Sequence, residues 1–383
     1  MIFDNVDYEF MRLINLCRIL PLDVKKNYDS LMFERNVRAN LQVHRLIKID
    51  NEGRCYKLTK RGRDCLAEMG VSIIQSERRK LTEDSYIRRM QNALWNIVLN
   101  LAGTDIYYKS FREIADTDCG YVSSLYMRME DSMKVLAGTK FLGILKLYDT
   151  AYVSYYVDKT SWIYSGYEKE TYISQIQSVH TIKDINIILT GKTLEELWQV
   201  STAEYERTEV KKGMKPICIA LEELGSEYLL VPLGRNGVLQ MSVLKICRYR
   251  EKIIRAIGGT QNTVSAISEC DGFYNDTPYI IAIDMNVKRI IRALKQLEKH
   301  NKELVPRIFC LSFQKSTILK LLKKYHPKKA VVTAVIKEDI YKLFPEIEEN
   351  TLKKKPFIKT KGVYYDVIER VLPKDEDEDW DDE

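Results

Sequence analysis

Four side chains between residues 35 and 45 share one arc of a helix drawn at 100° per residue: Arg35, Arg38, Gln42 and Arg45. Phe33, Val37, Asn40, Leu41 and His44 fall on the opposite arc. No carboxylate interrupts the first set, so it offers guanidinium forks and an amide to an anionic, hydrogen-bonding surface. Guanidinium forks match phosphate oxygens, and Arg or Gln side chains can pair with base edges. Downstream, LIKID, the turn NEGR and CYKLT read as two strands closed by a glycine-containing loop, with KRGR opening a further helix. Arg54 then falls at the loop tip, and Lys57, Lys60 and Arg61 flank it. Residues 30–63 hold nine Lys or Arg against three Asp or Glu, an excess suited to tracking a polyanion.

The elements that position these groups come from the preceding thirty residues. Tyr8 to Leu20 places Phe10, Leu13, Ile14, Cys17 and Leu20 at helical spacing and is expected to stop at Pro21. A short helix around Leu22 to Tyr28 follows. Helix, short helix, basic helix, two-stranded wing and closing helix is the order of a winged helix-turn-helix, in which the third helix enters the major groove. A winged-helix module that binds protein, or an ordinary amphipathic helix and hairpin, is the alternative.

With 383 residues and 45% hydrophobic content, the chain can build several sizeable cores. Its formal charge of +6 conceals a basic body, because residues 374–383 carry eight Asp or Glu and one Lys, which leaves +13 on residues 1–373. A body this basic points to a polyanionic partner. The eight cysteines are scattered without C-x-x-C spacing and read as reduced, core-packed thiols of a cytoplasmic protein. No signal-peptide layout and no membrane-length apolar run is present.

Residues 73–84 form a polar hinge after a first domain at 1–72. Thr82 caps a long helix, 82–102, whose stripe of Ile87, Met90, Leu94, Ile97, Val98 and Leu101 must bury against the next domain or in a homodimer. Residues 85–165 read as helices followed by the hairpin FLGILKLYD and TAYVSYYVD. That hairpin either completes a degenerate second winged helix or opens the sheet of a larger domain. From 166 to 372 strands and helices alternate, which implies an α/β domain around a mixed sheet and an α+β or α/β class for the whole. Within it, PICIALEEL and EYLLVPLG are expected to pair across a short turn, and a basic helix to run from Leu239 to Ile257. The lysine- and arginine-rich face of NVKRIIRALKQLEKH reads as solvated. Residues 373–383 read as a disordered acidic tail that either docks on the basic surface, at the five lysines of residues 353–361 or the wing around Lys57 to Arg63, or serves only as a solubilising end.

Several catalytic patterns are ruled out by spacing. Gly191-Lys192-Thr193 sits between strand and helix, but a phosphate loop needs a glycine where Asn186 stands, so Thr193 reads as a helix N-cap. The histidines, 44, 180, 300 and 326, are isolated and offer no paired metal ligands. His44 falls at the centre of the buried arc. No Cys/His zinc spacing appears, and no Gly-x-Ser-x-Gly elbow. No catalytic residue, metal or cofactor is therefore expected.

Taken together, RLINLCRILP, RNVRANLQ, YKLTKRGRDCL and FLGILKLYDTAYVSYYV resemble the replication-relaxation family of mobile-element proteins, most closely over residues 8–70. The resemblance implies an accessory protein of plasmids or integrative conjugative elements, binding double-stranded DNA beside a relaxase or replication initiator. It also implies a later half related to the restriction-endonuclease fold, in which strand carboxylates hold Mg²⁺ beside a helix lysine or arginine. The matching places here read Pro216-Ile217 and Val231-Pro232-Leu233, with Lys245, Arg248 and Arg250 on the following helix. Loss of the carboxylates implies a non-enzymatic protein. A transcriptional regulator that senses a ligand through its α/β half and a metal-dependent nuclease with a divergent site are the alternatives.

Overall fold

A computed structural model describes residues 4–50, 52–74, 82–130, 136, 138–158, 162–163, 165–176, 180–202, 215–216, 220, 223, 227–301, 303–325, 330–349, 357–360 and 363–366. The chain is α+β with mixed sheets and divides into two compact units, 1–80 with 352–383, and 81–351. Among the described residues no helix is long and apolar enough to cross a membrane.

The first unit begins with α1 (Asn5–Cys17). Asp4 and Asp7 form a capping box at its start, with the Asp4 side chain accepting from the amides of Val6 at 2.9 Å and Asp7 at 2.8 Å. The helix was expected to reach Leu20. It ends at Cys17 because Arg18 turns left-handed, at φ 65°, which frees Leu20–Pro21 to form β1. β1 pairs antiparallel with β3 (Cys55–Leu58), which also pairs with β2 (Ile47–Ile49) in the register Ile47 to Leu58. Proline is tolerated in β1 because an edge strand has a free side. Between them lie α2 (Val24–Asn27), the 3-10 turn Leu31–Phe33 and α3 (Arg35–Val43), and α4 (Lys60–Glu68) closes the set. Phe10 of α1 anchors the core, edge-on to Phe33 at 6.2 Å and to Tyr56 at 5.8 Å between ring centroids. α4 approaches β2 closely at Gly62, where a Cβ would lie 2.1 Å from the Leu46 carbonyl oxygen.

The second unit opens with α5 (Glu83–Leu101), N-capped by Thr82. It contains two five-stranded sheets. The first is ordered β10–β8–β6–β5–β4, from β4 (Cys119–Ser123), β5 (Gly143–Leu147), β6 (Thr150–Tyr156), β8 (Asp184–Gly191) and β10 (Tyr228–Pro232). β4, β5 and β6 are antiparallel, and β6, β8 and β10 are parallel. The second sheet repeats this plan from β11 (Thr260–Gln261), β12 (Gly272–Tyr274), β13 (Thr277–Ile281), β14 (Arg307–Leu311) and β15 (Val331–Val335): antiparallel through the first three, parallel through the last three. In both sheets a two-residue hairpin delivers a threonine as the first residue of the third strand, Thr150 and Thr277, and a tyrosine follows two positions later, Tyr152 and Tyr279. In both, helices cross from the third strand to the fourth and from the fourth to the fifth.

One hydrophobic cluster joins the sheets. It takes Val153, Ile187 and Leu230 from the first, Ile280 and Ile308 from the second, and Ile290, Leu294, Ile318 and Leu321 from the helices Val287–His300 and Lys315–Tyr325.

Several expectations change here. The boundary placed at 165/166 falls inside a sheet, since β6 pairs in parallel with β8, so the hairpin at 143–156 belongs with the strands that follow it. β10 pairs with β8, and Lys215–Pro216 (β9) pairs with Trp162–Ile163 (β7); most of PICIALEEL, expected to pair with EYLLVPLG, lies outside the described residues. The basic helix of 239–257 is two helices, Arg235–Leu244 and Tyr249–Ala256, broken where Arg248 takes φ 52°. Lys245, Arg248 and Arg250 therefore do not share a helix; Lys245 donates to the Ala102 carbonyl at 2.8 Å. α5 buries Tyr86, Ala93, Trp95, Ile97, Val98 and Leu99, while Ile87 from the expected stripe is 45% exposed. Its buried side packs within the unit, against helix Arg235–Leu244, where Gly237 leaves room for Val98. The acidic tail and all of the Lys353–Lys361 cluster except Lys359 lie outside the described residues, and Cys218 does too.

Candidate functional site

Two regions gather groups that could recognise a ligand, one in each unit.

In the first unit, α3 turns Val37 and Leu41 into the core and leaves Arg35 exposed, with Arg38 and Gln42 half-buried beside it. Arg38 is held in place: its Nη1 donates to the Tyr56 hydroxyl at 3.2 Å and its Nε to the Glu34 carbonyl at 3.4 Å. Arg45 leaves the expected stripe, because the helix ends at Val43 and Arg45 adopts φ 56° in the turn into β2. It is exposed there, and its carbonyl accepts from the Thr59 hydroxyl at 2.6 Å. His44 is half-buried at the helix C-cap, and Asn40 is half-buried with its amide on Asp7 at 3.1 Å. The buried arc is thus narrower than expected because α3 is only nine residues long.

The loop between β2 and β3 is organised by Asp50, whose Oδ1 accepts from the amides of Arg54 at 2.7 Å and Cys55 at 3.2 Å. Burial works against this carboxylate, but those amides and the nearby Lys57 ammonium, 3.8 Å away, outweigh it and hold its pKa below the usual range. Arg54 reaches the loop tip and pairs with Glu52, so its charge is partly spent. Lys60 and Arg61 are exposed on the first turn of α4. The structure therefore brings Arg35, Arg38 and Gln42 onto one helix side. Arg45 lies just beyond the helix end, and Arg54, Lys57, Lys60 and Arg61 lie on the hairpin and the helix after it.

In the second unit, a cleft of about 520 Å³ opens between the first sheet and the loops of the second. Its floor is an ionic cluster. Asp284, only 2% exposed, pairs with Arg250 through Nη2 and with Arg289 Nε at 3.5 Å. Arg289 also reaches Asp271 at 3.1 Å, and Asp271 accepts the Ile281 amide at 2.6 Å. Burial opposes charge on Asp284, yet the flanking guanidiniums of Arg289 and Arg250 keep its pKa below the usual carboxylate value. The hydroxyl of Tyr249, a half-buried residue beside this cluster, is pushed well above its ordinary pKa by burial. Arg292 bridges Glu227 at 2.5 Å and Glu269 at 2.8 Å.

This cluster was missed in the sequence, where Arg289 was counted on a solvated face. The available signal was its spacing: Arg289 lies four residues before Ala293 and next to Ile290, on the side of helix Val287–His300 that also buries Leu294 and Leu297. The strand positions singled out for a nuclease centre hold no carboxylate; Val231 is fully buried in β10. Among the described residues, no group of three His, Cys, Asp or Glu is arranged to hold a metal. Gly191 ends β8, and Thr193 N-caps helix Leu194–Ser201 by accepting the Glu196 amide at 3.1 Å. The seven described cysteines are free thiols, and Cys247 is exposed, unlike the core-packed set expected.

No family model matches this chain, and no curated protein or solved structure is similar to it.

Proposed function

We propose that residues 5–70 form a winged helix-turn-helix that binds double-stranded DNA, with α3 in the major groove and the β2–β3 hairpin on the flanking backbone. The observation that carries this reading is the solvent side of α3. It presents Arg35, Arg38 and Gln42 with no carboxylate on the helix, on a scaffold of four helices and a three-stranded sheet whose order fits that fold. Arg38 and Gln42 read base edges. Arg35, Arg45, Lys57, Lys60 and Arg61 contact phosphates, and Arg54 joins them when it releases Glu52. The sequence resemblance adds the setting: a non-enzymatic accessory protein of a plasmid or conjugative element, working in the cytoplasm beside a relaxase or replication initiator.

The test is a gel-shift series on duplexes from the protein's own genetic neighbourhood, followed by footprinting. Saturable binding that falls with Arg35→Ala and Arg38→Ala supports the reading. Equal affinity of the double variant and the parent overturns it. Footprints near a transfer or replication origin support the accessory role, whereas footprints confined to promoters favour a transcriptional regulator.

A nuclease reading of the second unit is less well supported. Two cleft carboxylates, Asp271 and Asp284, are both engaged by Arg289, and cationic neighbours oppose a divalent cation. A restriction-endonuclease-like origin of these mixed sheets remains part of the proposal, with its metal chemistry lost. Mg²⁺-dependent nicking of supercoiled plasmid, abolished by a chelator, would reverse this.

A further inference from the structure

Among the described residues, Val43 is the most exposed large apolar side chain, at 77%. Its place at the end of α3 sets it apart from a scattered surface valine. Val37 and Leu41 are the buried residues of α3, and at about 100° per residue Ala39 falls directly opposite their midpoint. Asn36, Ala39 and Val43, at i, i+3 and i+7, therefore form the row that faces furthest from the core, and all three are exposed.

The long polar side chains of α3 stand beside this row. Arg35 and Gln42 follow round one flank, with Arg38 behind them on the Tyr56 hydroxyl. On the other flank Asn40 is held by Asp7. Within the row, the Asn36 carboxamide oxygen accepts the Val37 amide at 3.0 Å, and the two remaining members end in methyl groups. Short side chains let a helix approach the floor of a groove that long ones would hold off, and here they put methyls at the point of closest approach. The major groove exposes one apolar group, the C5 methyl of thymine.

We propose that Val43, with Ala39 one turn before it, packs on thymine methyls, so that the duplex site contains an A·T pair beneath the C-terminal half of α3. The inference rests on the DNA-binding reading above and adds a base preference that the arginines do not supply. Ala39 and Val43 stand about 6 Å apart along the helix axis, so they can meet thymines on neighbouring steps of about 3.4 Å. Charge selects the duplex over a protein partner. From Arg35 to Ile49 the chain holds four Lys or Arg and no Asp or Glu. An apolar protein surface laid on Val43 would desolvate these cations without pairing them, whereas phosphates beside the groove neutralise them.

The test replaces thymine by uracil, which removes only the C5 methyl, one position at a time across the footprinted duplex. Full-length parent and Val43→Ala are titrated against each duplex in gel shifts. At one or two positions uracil is expected to weaken the parent about fourfold, the worth of one methyl-sized group removed from water. Val43→Ala is expected to lose that sensitivity at one such position, with the melting temperature unchanged because the valine is exposed. Parent affinity that is the same at every uracil position, or uracil sensitivity equal in parent and variant, overturns the proposal while the DNA-binding reading stands. Self-association of the parent that Val43→Ala abolishes, with no uracil effect, gives the valine to a second copy and overturns it too. Absence of binding to any duplex removes the DNA-binding reading itself, and this inference with it.

Discussion

Arg38 on α3 and Tyr56 on β3 are joined by a hydrogen bond of 3.2 Å that fixes the helix side chain relative to the hairpin. The tyrosine ring is itself packed edge-on against Phe10, so the bond ties the exposed side of α3 to the core. Tyr56→Phe keeps the ring and removes only the hydroxyl. It is expected to cost about 0.5–1.5 kcal/mol of stability, read by thermal or urea unfolding. It should also weaken duplex binding several-fold, because Arg38 loses its orientation. Unchanged affinity in a gel-shift titration would mean that Arg38 does not act from this position.

Phosphate and base contacts separate by salt dependence. Lys60→Ala and Arg61→Ala, both on the exposed first turn of α4, are each expected to lower the slope of log affinity against log salt by about one unit, with sequence preference intact. Arg38→Ala is expected instead to cost about 1–3 kcal/mol and to relax preference at one base pair. Identical behaviour of all three variants would assign them one sequence-independent role.

The first unit was the more legible in sequence because its elements are local. Apolar spacing placed α1 and α3, and the asparagine- and glycine-containing turn placed the hairpin. What failed were ends that depend on single backbone choices. Arg18 and Arg45 both turn left-handed, which shortened α1, released β1 and removed Arg45 from the helix. In the second unit the alternation of strands and helices was readable, but the pairing was not, because parallel partners such as Tyr152 and Asn186 are far apart in the chain. The repeat was also overlooked, although its mark, Asp149-Thr150-Ala151-Tyr152 against Asp276-Thr277-Pro278-Tyr279, stands in the sequence. The ionic cluster was only half legible, since helical spacing marks Arg289 as buried but not its partners. Arg289 carries the same letter as solvated arginines, and only the fold reveals that Asp271 and Asp284 wait behind it.

That cluster predicts an asymmetric response. Asp284→Ala leaves Arg250 and Arg289 without their shared carboxylate beside a buried strand end, and removal of one partner from a buried pair costs about 3–5 kcal/mol. Asp284→Asn keeps an acceptor for the guanidiniums and is expected to cost less. Equal melting temperatures for the parent and the alanine variant would show that the cluster contributes nothing to holding the unit together.

Glu168 gives a pH prediction. It is fully buried on helix Ser165–Ile176, where Oε1 accepts the Lys140 amide at 2.7 Å and Oε2 accepts the Tyr155 hydroxyl at 3.0 Å. Burial raises its pKa from 4.5 to about 7 against the opposing pull of those hydrogen bonds. A carboxyl whose pKa is raised by folding favours the folded state while it stays protonated. Its contribution is therefore complete below about pH 4.5, declines as pH rises and is lost once pH passes about 7. At about 1.4 kcal/mol per pKa unit, the difference between the two limits is roughly 3 kcal/mol. Glu168→Gln retains an acceptor for the Lys140 amide and cannot ionise. The variant is expected to melt above the parent at pH 8 and close to it at pH 5, measured by calorimetry across that range. A parent whose stability relative to the variant is the same at both pH values would show that Glu168 ionises in the folded chain as readily as in water.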